Sequence, residues 1–582
     1  MSNGSINLKK LLTYLKDYKK ESFFAPLFKM LEAILELFVP LIIASIINTG
    51  VGEQDTSYIV KMGILLVLLG IAGLAMSITA QYFAAKAAVG VATSLRSSLF
   101  AHLQTFSYTE IDTFTPSTMI TRMTSDVNQV QTGINLFLRL FLRSPFIVFG
   151  ALIMSLIISA KAAVIFAIAI PVLTAIICLI SYVCVPLYGK VQSKLDKILR
   201  TTRENLSGAR VIRAFNNQEK EEQQFVEETA ELHHSQIKVG RISALLNPLT
   251  FVIVNLAIVA ILRTGAIEVN VGTLTQGDVI ALINYISQIL VELIKLTNLI
   301  GTMNKASASA ARIEQAFQTK STLNSPLALK ATPKDDLSVE FSNVSIQYAT
   351  SGAPSLTDIT FAAPKGSVIG IIGGTASGKT TLVNLIPRFY DTTSGEVFVD
   401  GINVKDYPLS MLRDKIGVVP QKAVLFQGTI RDNMLWGNEH ASQNEIDAAL
   451  KAAQAYDFVY EKPDHLDAFV EQGGKNLSGG QRQRLTIARA LVKKPEILIL
   501  DDSASALDFA TEAALRRALA ALPWHPTLFI VSQRTSSIAH ADTILVLDNG
   551  TMAGIGTHEE LLNTCQVYKE IYDSQFKSEA AK

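Results

Sequence analysis

The residues best placed to do chemistry form one short run. Gly373, Gly374, Thr375, Ala376, Ser377, Gly378, Lys379 and Thr380 satisfy GxxxxGK[ST] at every fixed position. The run follows an apolar, β-branched stretch, Ser367–Ile372, and opens a helical one, Thr381–Ile386. That context carries more weight than the pattern. Glycines let a backbone wrap a phosphate, and a helix start offers unpaired N–H donors at the positive end of its dipole. Lys379 can reach the β- and γ-phosphates of a nucleotide, and Thr380 brings a hydroxyl to Mg²⁺. Further along, the apolar run Glu496–Leu500 ends in Asp501. A carboxylate at the C-terminal edge of a parallel sheet is suited to hold the Mg²⁺ shell of the same nucleotide. The chemistry implied is the binding and cleavage of a nucleoside triphosphate.

The elements that hold this site are only part of the chain. Of its 582 residues, 49% are hydrophobic and 18% charged. Ordinary soluble proteins carry roughly 25% charge, so disorder is excluded and the composition points away from a wholly soluble protein. Mean hydropathy is +0.30. A net charge of +1, from 52 Lys and Arg against 51 Asp and Glu, offers no footing for nucleic acid. The three cysteines, Cys178, Cys184 and Cys565, include no CxxC pair and read as small buried apolar residues.

The apolar residues concentrate in positions 1–317. Residues 7–21 are amphipathic and rich in lysine (Lys9, Lys10, Lys16, Lys19, Lys20), which predicts an elbow helix lying on the cytoplasmic membrane face. They lack the pattern of a cleaved signal peptide. Six apolar stretches follow, at about 22–50, 57–90, 131–158, 161–188, 242–266 and 276–300, each long enough to cross a bilayer. The N-terminal lysines stay inside by the positive-inside rule. Connections after spans one, three and five are short, whereas Leu95–Val130 and Lys190–Val239 are long, charged and helical in pattern. Both long connections and both termini therefore fall on the cytoplasmic side. Residues 318–336 read as a linker. From 337 to 582, short β-branched runs (Ser367–Ile372, Ile497–Leu500, Thr527–Val531, Thr543–Leu547) alternate with helical stretches. The fold class is then an all-α transmembrane domain with six spanning helices, followed by an α/β P-loop NTPase domain with a largely parallel sheet.

A family resemblance rests on a second motif. Leu477, Ser478, Gly479, Gly480 and Gln481, followed at once by Arg482, Gln483 and Arg484, look like the signature of ATP-binding cassette (ABC) transporters. Other ABC elements fall in order. Tyr348 sits where the family's adenine-stacking aromatic lies. Gln421, ending Val418–Gln421, matches the glutamine that senses Mg²⁺ and touches the membrane domain. Ser505–Asp508 matches the loop that crosses the dimer interface. With the membrane part first and the nucleotide part second, the whole chain resembles a half-transporter of the exporter class. The resemblance implies ATP or GTP, contacted by Tyr348, by Gly373 to Thr381 and by Gln421. It implies Mg²⁺ held by Thr380, Gln421 and Asp501, and coupling helices near 108–117 and 205–215. It also implies head-to-tail packing of two nucleotide domains, so that Leu477–Gln481 and Asp508 serve the nucleotide on a partner. Asn205, Leu206 and Ser207 match a glycosylation sequon that is silent on the cytoplasmic side.

Two positions depart from the family pattern. The residue after the Mg²⁺ aspartate is usually glutamate; here it is Asp502, one methylene shorter. A general base must come within hydrogen-bond reach of its water, and a misplacement of ~1 Å can cost about 100-fold. The family's switch histidine is replaced by Gln533, which can hydrogen-bond a γ-phosphate but carries no imidazole proton chemistry. Both changes predict a site that binds well and hydrolyses slowly, and hence an unlike partner carrying the hydrolytic site. This pattern resembles the degenerate-site subunit of heterodimeric multidrug ABC exporters of Gram-positive-type bacteria, placed in the cell membrane. Ala25–Lys29 and Ser532–Thr535 strengthen that likeness. The alternatives with the same engine are a lipid or peptide translocator and, from another class, a nucleotide-gated channel.

The substrate leaves fewer marks. Glu32 and Glu36, Arg139 and Arg143, and Glu292 and Lys295 are charged pairs on single helix faces within spans. They either line a cavity for amphipathic compounds or pair with one another and fix packing. Phe38, Phe137, Phe141, Phe146 and Phe251 are candidates to line that cavity. Prolines at Pro40, Pro145, Pro171, Pro186 and Pro248 suit spans that bend.

Overall fold

Helices run well past the apolar stretches that seed them, even where Pro171 and Pro186 lie inside the fourth. In the computed structural model, which describes residues 12–329, 337–348 and 351–576, six helices are long and apolar enough to cross a membrane. They are Thr13–Val51, Thr56–Leu103, Pro116–Ile158, Ala160–Ser207, Gln218–Asn270 and Gln276–Gln318. The second and fourth have 48 residues each, about 72 Å at 1.5 Å per residue, more than twice a hydrocarbon core. Hydropathy marks where a helix leaves lipid, not where it ends. Ends are set by caps: Asp55 accepts from the Tyr58 N–H, Ser159 from Ala162, and Thr275 and Asp278 form a reciprocal capping box.

Three sequence expectations change here. The third span is two helices, Val127–Leu140 and Arg143–Ile158, because Pro145 has no N–H to return to the Phe141 carbonyl. The elbow expected at 7–21 is described only from residue 12. That part, Leu12–Tyr18, is a 3₁₀ helix followed at once by Lys19–Ser45, with Tyr18 at the junction outside helical backbone angles (φ −117°, ψ 35°); residues 7–11 lie outside the described residues. Cys178 is exposed on the fourth helix, while Cys184 and Cys565 are buried as expected. Of the linker expected at 318–336, residues 330–336 lie outside the described residues; 319–329 form neither helix nor strand.

The chain divides into two compact units. One comprises Met1–Gln104 and Pro116–Thr319, the other Thr105–Thr115 and Lys320–Lys582. In the first, Tyr285, Phe166, Ile147 and Leu173 are fully buried among the helices. Gly277 lets the sixth helix touch the first: a Cβ there would lie 2.3 Å from the Ala44 carbonyl oxygen.

Among the described residues, the second unit is built on two main sheets and a two-stranded ribbon that pairs Gly428–Thr429 with Phe469–Val470. Strands Thr551–Gly556, Thr543–Asp548, Val368–Gly373, Thr527–Val531, Ile497–Asp501 and Ile416–Val419 lie side by side in that order. All neighbours are parallel except the Thr551–Gly556 edge. Ile497–Asp501 is buried along its whole length, as a central parallel strand covered on both faces should be. A separate antiparallel sheet pairs Leu356–Pro364, Leu337–Ile346, Ser394–Val399 and Ile402–Asn403. It was not legible in the sequence, because its strands are ragged: the first pairing carries three register shifts.

Candidate nucleotide site and membrane ion network

Strand register brings the predicted residues to one edge. Val531 lies opposite both Ile371 and Asp501, so three parallel strands end together where the phosphate loop begins. The loop depends on its glycines. Gly373 has φ 158°, and a Cβ there would sit 2.1 Å from the Leu547 carbonyl oxygen; Gly378 has φ 95°. At Gly374 a Cβ would meet nothing within 4 Å, so the backbone there borders open space.

Beside the loop is a cavity of about 550 Å³ lined by Thr375–Thr381, Gln421, Asp501, Asp502, Val531 and Gln533, with neither Gly373 nor Gly374 in its wall. Pro354, Ser355, Asn549 and Gly550 complete it, and sequence reasoning missed all four. A signal was available for two of them. Asn549 (φ 46°) and Gly550 (φ 79°) form a two-residue hairpin turn, the preferred Asn-Gly pair. The Gly550 carbonyl accepts from the Thr357 N–H and pins the turn to the antiparallel sheet.

Lys379 Nζ donates to the carbonyls of Gly373 (2.9 Å) and Gly374 (2.6 Å), oxygens of its own loop that resemble phosphate oxygens as acceptors. Burial pushes the Lys379 ammonium below its ordinary pKa, against the pull of Asp502 and Asp501. Thr380 Oγ1 donates to Asp501 at 3.0 and 3.1 Å. Burial raises the Asp501 carboxyl, so a cation beside it competes with a proton less well as pH falls. The donor set fits Mg²⁺: one hydroxyl and one carboxylate with room for phosphate oxygens, and, among the described residues, no cluster of three or more His, Cys, Asp or Glu. Bound there, Mg²⁺ would neutralise charge on the β- and γ-phosphate oxygens.

The two departing residues also face this cavity. Asp502 holds a left-handed backbone (φ 46°), its N–H bonded to the Val531 carbonyl, and its carboxylate lies 3.4 Å from Gln421 Nε2. Gln533 is exposed at the rim. Its carbonyl accepts from Gln575 Nε2 at 2.7 Å, and Gln575 Oε1 accepts from the Thr535 N–H at 2.9 Å. The C-terminal helix Gln566–Phe576 thus clamps this loop, a role with no motif to announce it.

Other predicted residues stand elsewhere. Ser478 caps the helix Gly479–Val492 and exchanges hydrogen bonds with Gln481, leaving Gly479 exposed. None of Leu477–Gln481 lines the cavity, nor does Asp508, whose side chain caps Phe509–Ala520 by accepting from the Thr511 N–H. Tyr348 borders the cavity through Thr381, its hydroxyl 3.1 Å from Thr381 Oγ1.

Comparison with known proteins decides the family. Residues 22–293 match the ABC transporter transmembrane region and residues 356–505 the ABC transporter domain. The uncharacterised ABC transporter ATP-binding protein YfiB of Bacillus subtilis is 36% identical over 577 residues, 99% of this chain and all of YfiB. This chain belongs to the ABC transporter family. YgaD of Bacillus subtilis, provisionally named for multidrug export, is 31% identical over 98% of this chain and 99% of its own. The ATP-dependent lipid A-core flippase of Mannheimia succiniciproducens is 31% identical over 94% of each chain. A bacterial Atm1-family ABC exporter solved with ATP bound superposes with a TM-score of 0.79 at 26% identity, covering 96% of this chain and 99% of that one. The chain is an ABC exporter half-transporter, a multi-pass membrane protein with a transport ATPase domain.

In the membrane unit of this ABC transporter, five of the six predicted charged residues join with Lys29 into one network. Arg143 is its centre, donating to Glu36 (2.6 Å) and Glu292 (2.7 Å). Lys295 and Ser144 also bond Glu292, and Lys29 bonds Glu32 and Ser77. Three carboxylates (Glu32, Glu36, Glu292) thus meet three cations (Lys29, Arg143, Lys295), drawn from the first, third and sixth helices. Arg139 stands outside it, with a buried Nε that has no hydrogen-bond partner. Phe146 packs on the core, whereas Phe38, Phe137, Phe141 and Phe251 are exposed.

Proposed function

We propose that this half-transporter is the slow-site subunit of a heterodimeric exporter that moves drugs or other amphipathic compounds outward by alternating access. The observation that carries this reading is the pairing of Asp502 and Gln533 at the rim of one cavity, beside a complete phosphate loop, with an intact signature outside it. The site retains Lys379, Thr380 and Asp501 for binding. It presents a shortened carboxylate and an amide where water activation is needed. The signature Leu477–Gln481 and Asp508 then complete a hydrolytic site on an unlike partner. Nucleotide closes the two domains on each other, coupling segments near 108–117 and 205–215 carry the motion, and hydrolysis at the partner's site resets it. Both termini face the cytoplasm. The nucleotide is ATP or GTP with Mg²⁺.

Side-chain reach is directly testable. Asp502→Glu with Gln533→His should raise turnover at this site by about 100-fold, the inverse of a ~1 Å misplacement. Single-turnover hydrolysis in the complex, with the partner's site silenced, measures it. An unchanged rate removes the argument from reach.

The signature has its own test. A Cβ on Gly479 would meet nothing within 4 Å, so Gly479→Asp leaves this fold intact while placing a carboxylate where a partner's phosphates arrive. Hydrolysis at the partner's site should fall at least tenfold, with nucleotide binding at this chain's loop unchanged. Loss of binding in cis instead would place the signature's role here.

A lipid translocator is the second reading, favoured by the flippase relative. Stimulation of hydrolysis by lipids rather than by drugs selects it.

A further inference from the structure

We propose that Tyr390 and Asp112 are positioning residues for the nucleotide base, acting through Tyr348, and that the segment Thr105–Thr115 thereby responds to the base as well as to the phosphates. This rests on the nucleotide reading of the phosphate-loop cavity. The segment lies in the sequence between two spanning helices yet belongs to the same compact unit as the nucleotide domain. It is tied there by polar contacts. Ser107 and Glu110 form a capping box at the start of helix Tyr108–Phe114, and Glu110 Oε1 accepts from the Thr322 N–H at 3.2 Å.

A line of contacts leads from that helix to the cavity. Asp112 Oδ2 accepts from the Tyr390 hydroxyl at 2.8 Å. The Tyr390 ring meets the Tyr348 ring edge-on, centroids 4.9 Å apart at 80°. The Tyr348 hydroxyl lies 3.1 Å from Thr381 Oγ1, and Thr381 lines the phosphate cavity. Tyr108, on the same short helix, packs 4.6 Å from Phe389 and 5.8 Å from Tyr390. Beside this line is a second cavity of about 230 Å³, walled by Thr109, Asp112, Tyr348 and Tyr390. It is several times the ~30 Å³ share of one water.

A triphosphate seated in the loop ends near Thr381, so its ribose and base extend toward Tyr348. Stacking on Tyr348 is worth most when that ring is already held, because an unfixed ring loses rotamer freedom on binding. Tyr390 holds it by edge contact, and Asp112 holds Tyr390. Burial, and then the bond to Asp112, push the Tyr390 phenol well above its ordinary value, so the hydroxyl stays a donor. A base docking on Tyr348 shifts a ring whose neighbour is anchored on the Tyr108–Phe114 helix. Inorganic triphosphate, which has no base, leaves that ring untouched.

The test compares Mg·ATP with Mg·tripolyphosphate on the full-length chain in lipid nanodiscs, by calorimetric titration. Tyr390→Phe and Asp112→Ala should each weaken ATP by roughly three- to tenfold and leave tripolyphosphate within about twofold. Asp112→Asn keeps an acceptor oxygen and should recover ATP affinity. The double variant should be no weaker than the stronger single one, as expected for one linked unit. Hydrogen exchange at Thr109–Thr113 should slow with ATP and not with tripolyphosphate. Equal weakening of both ligands, unchanged ATP affinity, additive losses, or equal protection by the two ligands would each overturn the proposal. Turnover does not enter these measurements, so such a result leaves the slow-site reading standing. Failure of the unmodified chain to bind either ligand would remove the nucleotide reading and this proposal together.

Discussion

Lys379→Ala should cut the affinity of this chain's own site for Mg·ATP by about 10- to 100-fold, the worth of one or two charge-assisted hydrogen bonds. The reason is local. The Lys379 ammonium is half-buried, its pKa held down by that burial, and its hydrogen bonds run to carbonyls of its own loop and Ser377. It is held over the cavity with its charge poorly compensated, so phosphate oxygens are its best partners. Removing it takes away that attraction without breaking a tie to any other element, and the fold should persist. Equilibrium binding of a fluorescent ATP analogue, with the thermal midpoint of the ligand-free protein as control, reads the effect. Lys379→Arg should recover little, because a planar guanidinium does not fit a cradle shaped for a point charge. An affinity within twofold of the unaltered chain would show that the loop's backbone alone holds the phosphates.

Arg143→Met should be the most destabilising single change in the membrane unit, by about 3–5 kcal/mol. Arg143 is 6% exposed and Glu292 2%, and Arg143 alone joins Glu36 to Glu292. Without it, two carboxylates remain within spanning helices, where unpaired charge is costly. Lys295 still bonds Glu292, but Glu36 keeps no partner of its own. The measurement is the thermal unfolding midpoint of the purified protein in detergent. Adding Glu36→Gln and Glu292→Gln to Arg143→Met should restore most of the loss, since the cost lies in the uncompensated charge and not in the missing bond. A midpoint unmoved by Arg143→Met would mean that water reaches these groups freely and that the network adds no stability.

These cases separate what is local from what is not. The phosphate loop was legible because its function needs particular residues at adjacent positions: glycines where φ is positive or a Cβ would collide, then Lys379 and Thr380. The spans were legible because hydrocarbon thickness sets a minimum run of apolar residues. Helix ends were not, since nothing in hydropathy stops a helix once it leaves lipid. Ser355, Asn549 and Gly550 were missed because they reach the cavity only through pairing of distant strands and a turn pinned by a carbonyl. Gln575 was missed for the same reason.

The linear order of residues was enough to establish a membrane-spanning half and a nucleotide-binding half, with the chemistry of the second written in contiguous motifs. It also exposed the two substitutions, Asp502 and Gln533, because each falls at a known step from a recognisable motif. Only the tertiary structure decided that charged residues on three helices form one network, centred on Arg143 and excluding Arg139, and that Tyr108–Phe114 shares a unit with the nucleotide domain. Those outcomes depend on which side chains meet across hundreds of residues. Helical period and composition fix the face a residue occupies, but not the partner it finds there.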